Sequence, residues 1–364
     1  MKIAIDAREL RTSTGRYIER LLFYLQQIDI SHDYVVLLKP KDMDGWTPTN
    51  PRFTKMACPH KEFTFEEQLA FKKQLNEIGA DLVHFGKDHQ PLLYKGLVVT
   101  TMHDLTTARF RNPAKPWLVF KFKQQVYKRL VKRVAKKSKA ILSPTDFVKQ
   151  DLIKFTHIRP EKITVTYESA DKILASPTPL PYLQNKKFIM YVGRPTPHKN
   201  LERLIDAFAF LQQSHSTLSL VLAGKKDANY ERIAAKVSAK NLQNVIFTDF
   251  VSEGELRWLY ENCQAYAFPS LSEGFGLPGL EAMIHGAPVV SSNATCLPEV
   301  YRDAAHYFDP LDTQDIATKL AEVLDNPELQ QHLIATGERQ VAKYSWRRMA
   351  EQTLGVYNKA LNKE

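Results

Sequence analysis

Cysteine is scarce in this chain: three occur in 364 residues, Cys58, Cys263 and Cys296. They are far apart, odd in number and match no zinc-ligand spacing, which argues against a disulfide framework and a structural zinc site. No apolar run approaches the roughly 18 residues that a membrane-crossing helix needs. The opening, MKIAIDAREL, has neither the basic start nor the long apolar stretch of a secretory leader, so a cytoplasmic protein is expected. Histidine pairs at helical metal spacing are lacking, and neither a G-x-S-x-G elbow nor a Walker A string occurs. One long stretch lacks acid altogether: Leu105 to Thr145 holds 12 Lys and Arg and no Asp or Glu.

What is present is an ordinary globular balance, 44% hydrophobic and 25% charged, in a length that suits two domains. The net charge of +10 is unevenly placed. Residues 1–180 carry +12 and the remainder −2, so the halves are electrostatically different objects. In the basic stretch, Phe122, Val126, Leu130 and Val134 recur every four residues, one apolar helix stripe flanked by cations. Such a segment is either a core-facing helix with a solvated basic face or a surface for a polyanion. Trp117 and Phe120 lean the second reading toward an anionic membrane surface through residues 115–139. No stacking platform or reader motif accompanies the cations, so no nucleic-acid partner is expected.

Short apolar runs alternate with helical patterns in both halves. In the first, Lys2–Ala7, Tyr34–Lys39, Asp81–Phe85, Leu97–Met102, Ala140–Ser143 and Ile163–Thr166 read as strands. In the second, Phe188–Gly193, Leu218–Ala223, Val245–Thr248, Ala265–Pro269, Pro288–Ser291 and His306–Phe308 do. This grammar predicts parallel sheets built from βαβ units, hence an α/β fold of two Rossmann-like domains with a cleft between them. Pro177, Pro179 and Pro181 mark residues 176–186 as the linker, giving domains 1–175 and 187–344.

Two motifs carry chemistry. Ser272-Glu273-Gly274-Phe275-Gly276-Leu277-Pro278-Gly279-Leu280-Glu281 runs from a strand into a helix. Its glycines permit close backbone approach, and the helix N-terminus offers unpaired N–H groups to an anion. The bland alternative is a tight turn with two solvated glutamates. Gly193-Arg194-Pro195-Thr196-Pro197-His198-Lys199-Asn200 likewise leaves a strand for a helix. Two cations there suit a diphosphate; alone, they are equally compatible with a charged surface loop. Asp42-Met43-Asp44 sits in a polar, proline-bounded stretch and reads as a turn, not a metal site.

Together the motifs resemble those of family 4 glycosyltransferases, retaining nucleotide-sugar enzymes with the two-domain GT-B fold. Seven residues separate Glu273 from Glu281, as in that family's paired-glutamate motif, and GRPTPHKN is similar to its phosphate-binding motif. The likeness is specific over Phe188 to about Pro310 and looser before, where MKIAIDAREL, Thr14-Gly15-Arg16-Tyr17 and His103-Asp104 carry it. The loop before Tyr17 has one glycine where many relatives have two.

The resemblance implies Arg194 and Lys199 on the donor diphosphate, Glu281 on the ribose, and Glu273 on the sugar hydroxyls. The Gly274, Phe275, Gly276 and Leu277 stretch lies against the donor, and Phe250 and Val251 read the nucleobase through the main chain. Gly15 approaches the diphosphate, and His103 the sugar or phosphate. It further implies no catalytic metal, no cofactor beyond the donor, and front-face transfer with retention. The final stretch, 345–364, would pack back on the first domain. GDP-mannose is the expected donor, with a UDP-sugar the alternative. The expected acceptor is a glycan or lipid-linked glycan at the inner face of the cell membrane. A basic nucleic-acid-binding protein or a catalytically dead scaffold is the competing reading.

Overall fold

The computed structural model describes residues 1–10, 15–62, 64–110 and 117–361. The Arg11–Thr14 part of the first loop motif and residues 115–116 of the basic segment lie outside these. The chain forms two compact units, residues 1–108, 116–168 and 345–364 in one and 109–115 and 169–344 in the other.

In the first unit, strands β1 (Lys2–Asp6), β2 (Asp33–Leu38), β3 (Phe53–Ala57), β4 (Leu82–Phe85), β5 (Val98–Thr101), β6 (Ala140–Ser143) and β7 (Ile163–Val165) form one parallel sheet. Their order is β3-β2-β1-β4-β5-β6-β7. Sequence reading missed β3. As an edge strand, FTKMA buries only its first residue fully and so lacks the apolar run of its neighbours. Helices α1 (Gly15–Ile28), α2 (Lys72–Ile78), α3 (Thr106–Arg109), α4 (Trp117–Lys137) and α5 (Asp146–Thr156) connect the strands. The Asp42–Asp44 string lies in a 3₁₀ turn, Pro40–Gly45.

Beyond β1, Arg8 is 1% exposed, a charge that burial makes costly unless it is paired. Its guanidinium donates to Asp6 at 2.7 and 2.8 Å, to Glu67 at 2.9 Å and to the His60 carbonyl at 2.9 Å, and it lies over the Phe71 ring. The network ties β1 to a π-helical turn at Glu67–Phe71.

Helix α4 divides the predicted apolar stripe. Val134 and Val131 are buried in a core with Ile141, Val148 and Leu152. Val126 is 46% and Phe122 71% exposed, as is Trp117 at 53%. The stripe is thus core at one end and solvent-facing at the other.

In the second unit, β8 (Phe188–Val192), β9 (Ser219–Ala223), β10 (Val245–Asp249), β11 (Ala265–Phe268), β12 (Val289–Ser292) and β13 (Ala305–Phe308) form a parallel sheet ordered β10-β9-β8-β11-β12-β13. Helices α6 (Leu201–Leu211), α7 (Ala228–Ala239), α8 (Glu253–Asn262), α9 (Leu277–Ile284), α10 (Leu297–Tyr301), α11 (Thr313–Asp325) and α12 (Pro327–Val341) cover it. The Pro-rich segment is not the crossover that its composition suggested. The chain passes between units at Glu168–Ser169, and residues 176–186 pack on the second unit. There Thr178 N–H donates to the Gly254 carbonyl at 3.0 Å and Leu183 is buried. Proline bars a helix interior or a central strand, not packing.

The last helix, α13 (Trp346–Leu361), belongs to the first unit and packs on α1. Its Tyr357 hydroxyl meets His84 Nδ1 at 2.6 Å, and His84 Nε2 meets Thr101 Oγ1 at 2.8 Å. Thr101 also contacts the Tyr17 hydroxyl at 2.8 Å. Burial first, then the charge of His103, lowers the His84 pKa to about 3 against an opposing pull from Asp6. The folded His84 therefore stays neutral where the unfolded one, titrating near 6.5, takes up a proton. The unfolded state binds more protons in that window, so this group's contribution to stability falls as pH falls below about 6.5. Urea midpoints between about pH 7 and pH 5 should decline in the wild type, and His84→Gln should flatten that slope. An identical slope in both would remove His84 as its source.

Candidate functional site

The order of the second sheet reverses at β8: the chain moves outward to β9 and β10, then returns to β11 on the other side. Loops leaving β8 and β11 therefore diverge, and open parallel sheets bind ligands at this switch point. Both sequence motifs are these two loops.

The loop after β8 begins at Gly193, φ 138°, and ends in a 3₁₀ turn, Pro197–Lys199. Asn200 follows in the left-handed region, φ 61°, at the start of α6. Its carboxamide is buried and donates to the Pro269 carbonyl at 3.0 Å and the Pro310 carbonyl at 2.8 Å; its oxygen accepts from Arg203 at 2.9 Å. One side chain thus joins the segments after β8, β11 and β13. Leu271 N–H adds a bond to the His198 carbonyl at 2.7 Å.

This scaffold brings Lys199 and Glu273 together. The Lys199 ammonium donates to Glu273 Oε1 at 2.6 Å, and its charge lies 5.7 Å from the Phe268 ring centroid. The pair is mostly, not fully, buried, 20% and 11% exposed. Glu273 is fixed through its backbone: its N–H donates to Thr295 Oγ1 at 3.2 Å and its carbonyl accepts from the Cys296 thiol at 3.3 Å. Arg194 stands on the same loop as Lys199 with its side chain exposed.

Gly276, φ 91°, caps α9, and Pro278 is that helix's second residue. The glycines here answer to a buried tyrosine as well as to any ligand. The Tyr301 hydroxyl donates to the Gly276 carbonyl, and a Cβ at Gly276 or Gly279 would meet that hydroxyl oxygen at 2.5 or 2.2 Å. Phe275 is buried, its ring edge-on to Tyr344 at 5.4 Å, so only its main chain can serve a ligand. Leu277 and Glu281, on the first turns of α9, are half-buried. Phe250 and Val251 follow β10, two strands from β8, and the Phe250 ring is 80% exposed.

The remaining candidates lie in the first unit. Gly15 opens α1, and a Cβ there would meet the Leu10 carbonyl oxygen at 2.0 Å, which excludes every other residue. His103 follows β5, its ring contacting Glu168 and the Gly86 carbonyl. A polar cluster that sequence reading did not find gathers beyond the carboxyl ends of β1, β2 and β4. Glu9, Glu62 and His89 offer ligand atoms within 4.8 Å of one another. Lys39 reaches Glu62 at 2.8 Å and Glu9 at 3.5 Å, and Lys87 reaches Glu9 at 3.4 Å. Those two cations answer the carboxylate charge that a metal ion would otherwise meet. Sequence reading placed Asn200 in its motif without a role and missed Thr295 and Tyr301. An asparagine immediately before a helix pattern was the one available signal; the other two reach the loops only through the fold.

A family model described as Glycosyl transferases group 1 matches residues 178–340. One described as Glycosyltransferase Family 4 matches residues 14–171. The O-antigen chain mannosyltransferase B of Escherichia coli is 31% identical over 230 residues, 60% of this chain and 60% of that protein. The serotype-specific mannosyltransferase WbdA of Escherichia coli is 32% identical over 225 residues, 61% of this chain but 27% of that protein. The match therefore spans less than two thirds of these relatives' length. The O-antigen chain mannosyltransferase RfbU of Salmonella typhimurium is 28% identical over 266 residues, 71% of this chain and 72% of that protein. Among solved structures, a sucrose-phosphate synthase from Thermosynechococcus elongatus superposes with a TM-score of 0.80 at 18% identity, covering 100% of both chains. Anabaena HepE in complex with UDP-glucose gives 0.75 at 16% identity, covering 99% of this chain and 100% of that one. At such identity the likeness speaks for the fold, which is GT-B. With the two family models between them spanning most of its length, the chain belongs to glycosyltransferase family 4.

Proposed function

We propose that this protein transfers mannose from GDP-mannose to a glycan or lipid-linked glycan acceptor, with retention and without a catalytic metal. The observation that carries the reading is the Lys199–Glu273 pair at the switch point of the second sheet, beside the N-terminus of α9. A cation and a carboxylate held there suit the two halves of a nucleotide sugar, diphosphate and hydroxyls. The mannosyltransferase names of the curated relatives support the sugar. A UDP-sugar is the alternative donor, and HepE, solved with UDP-glucose, keeps it in view.

In this reading Arg194 and Lys199 stabilise the charge that develops on the leaving diphosphate. Glu281 takes the ribose and Glu273 positions sugar hydroxyls. Phe250 and Val251 offer main-chain groups to the base. The polar cluster of Glu9, Lys39, Glu62 and Lys87, with both donors and acceptors, suits acceptor hydroxyls. No side chain is assigned as a covalent nucleophile; positioning and electrostatics carry the rate.

Among the described residues no helix is long and apolar enough to cross a membrane. We assign contact with an anionic membrane to α4. Its exposed Trp117, Phe122 and Val126 lie among lysines, and the Lys121 ammonium is 4.9 Å from the Trp117 ring centroid.

GDP and GDP-mannose should raise the melting temperature, because a ligand of the native state alone must stabilise it. A shift with UDP compounds only would replace the donor. Glu281→Ala should weaken nucleotide binding, and Arg194→Ala should cut turnover by roughly 10²–10³. Unchanged kinetics in both variants would sink the assignment. Turnover should survive EDTA; loss that Mg²⁺ or Mn²⁺ restores would overturn the metal-free reading. Replacing Lys121, Lys123 and Lys128 with Gln should reduce binding to phosphatidylserine-containing vesicles, while Phe122→Ser should weaken it less salt-dependently. Equal binding by all forms would return α4 to the role of a solvated helix.

A further inference from the structure

His103 stands two residues beyond β5 with 13% of its side chain exposed. Its Nε2 lies 3.1 Å from the carbonyl oxygen of Gly86, which can only accept, so Nε2 carries a hydrogen. Its Nδ1 lies 3.2 Å from Glu168 Oε1. Glu168 is 4% exposed and is the last residue of the first unit before the chain crosses to the second. An ionised carboxylate also only accepts, so Nδ1 carries a hydrogen as well. A ring that donates from both nitrogens is an imidazolium.

We propose that Glu168 is a positioning residue that holds His103 in its cationic form, both ring nitrogens donating, for the charge-developing step of glycosyl transfer. The functional half rests on the reading proposed above; the protonation state is a property of the chain alone.

The surroundings agree. Tyr17, on α1, presents its ring at 81° to that of His103, centroids 4.9 Å apart, and turns its hydroxyl to Thr101. Asp104, next in the chain, adds a second negative charge. His84, on β4, is neutral and spends its nitrogens on Tyr357 and Thr101. Asp6, on β1, acts on His84 through its negative charge. Burial by itself lowers the His103 pKa. The hydrogen bond and charge of Glu168, the Gly86 carbonyl and Asp104 outweigh it, and the net shift is upward. The stabilisation from this pairing is full below the ordinary histidine value and is lost as pH rises through the raised one. A buried cation is worth more to a developing negative charge than the same group in water, because nothing must reorganise when the bond breaks. A neutral histidine here would have one proton to give and would spend it on Gly86.

The rival arrangement puts the proton on Glu168, which would then donate to a neutral His103. Nitrogen NMR separates the two. The full chain is labelled with ¹⁵N-histidine, and the His103 signals are identified by their loss in His103→Gln. In the wild type both ring nitrogens should show imidazolium shifts at the ordinary midpoint near pH 6.5 and titrate together above it. Glu168→Gln should lower the His103 midpoint by ~1 pH unit or more, and Glu168→Asp should recover part of it. The high-pH limb of kcat/KM for GDP-mannose should move down with the midpoint in Glu168→Gln, with the melting temperature recorded alongside. A neutral His103 in the wild type at about pH 6.5 overturns the proposal without any variant. So does an unchanged midpoint in a folded Glu168→Gln. If the midpoint moves as expected but no nucleotide sugar is consumed at any pH, Glu168 holds the charge and the transferase reading is what fails.

Discussion

The second unit's candidate site depends on one buried carboxamide. Asn200 holds the carbonyls of Pro269 and Pro310 and so fixes the segments after β8, β11 and β13 against each other. That tie, together with the Leu271 N–H bond to the His198 carbonyl, sets the distance between Lys199 and Glu273, which lie on different loops 74 residues apart. The carboxamide itself is constrained. It is buried, its backbone is left-handed, and asparagine is among the few non-glycine residues that visit that region readily. Aspartate would tolerate the backbone but would bring two acceptors to two carbonyls. The residue type follows from hydrogen-bond chemistry, and the site's geometry follows from the residue.

Much of this was legible because parallel sheets speak in continuous apolar runs. SLVLA and AYAFP each lie between helical patterns, and both are buried strands. β3 was illegible for the same reason reversed: at the sheet edge only Phe53 is fully buried, so its sequence carries no such run. The linker misled because proline was read as a sign of separation. Residues 176–186 instead use proline for a short turn that packs on α8, and the true crossover at Glu168 has no composition to mark it. Within the site, both loops announced themselves through glycines, charges and strand–helix position. Thr295 and Tyr301 did not, since each acts on a loop some 20 residues earlier through sheet neighbours that only folding supplies.

Glycine shows why motif and mechanism must be separated. Gly276 would be credited wholly to ligand approach on sequence grounds, yet its positive φ and the Tyr301 hydroxyl already require it. Gly279 is required by Tyr301 alone, through the near-contact its Cβ would make. Gly15 is required by the Leu10 carbonyl. Each glycine lets its neighbours close up on the backbone at a helix start. The structural and functional accounts are two consequences of the same missing Cβ.

The first unit organises its polar interior differently, as a chain of hydrogen bonds running from α13 inward. Tyr357, His84, Thr101 and Tyr17 follow one another, and the Tyr17 ring then meets His103 edge-on. Two histidines at the carboxyl ends of neighbouring strands thereby receive opposite treatment. His84 is surrounded by hydroxyls, which can give or accept, and is driven neutral by burial and by its neighbour's charge. His103 is surrounded by acceptors, and its pKa is raised. Neighbouring side chains thus shift the two histidines in opposite directions. The docking of the last helix and the surroundings of His103 are thereby linked through the same few side chains.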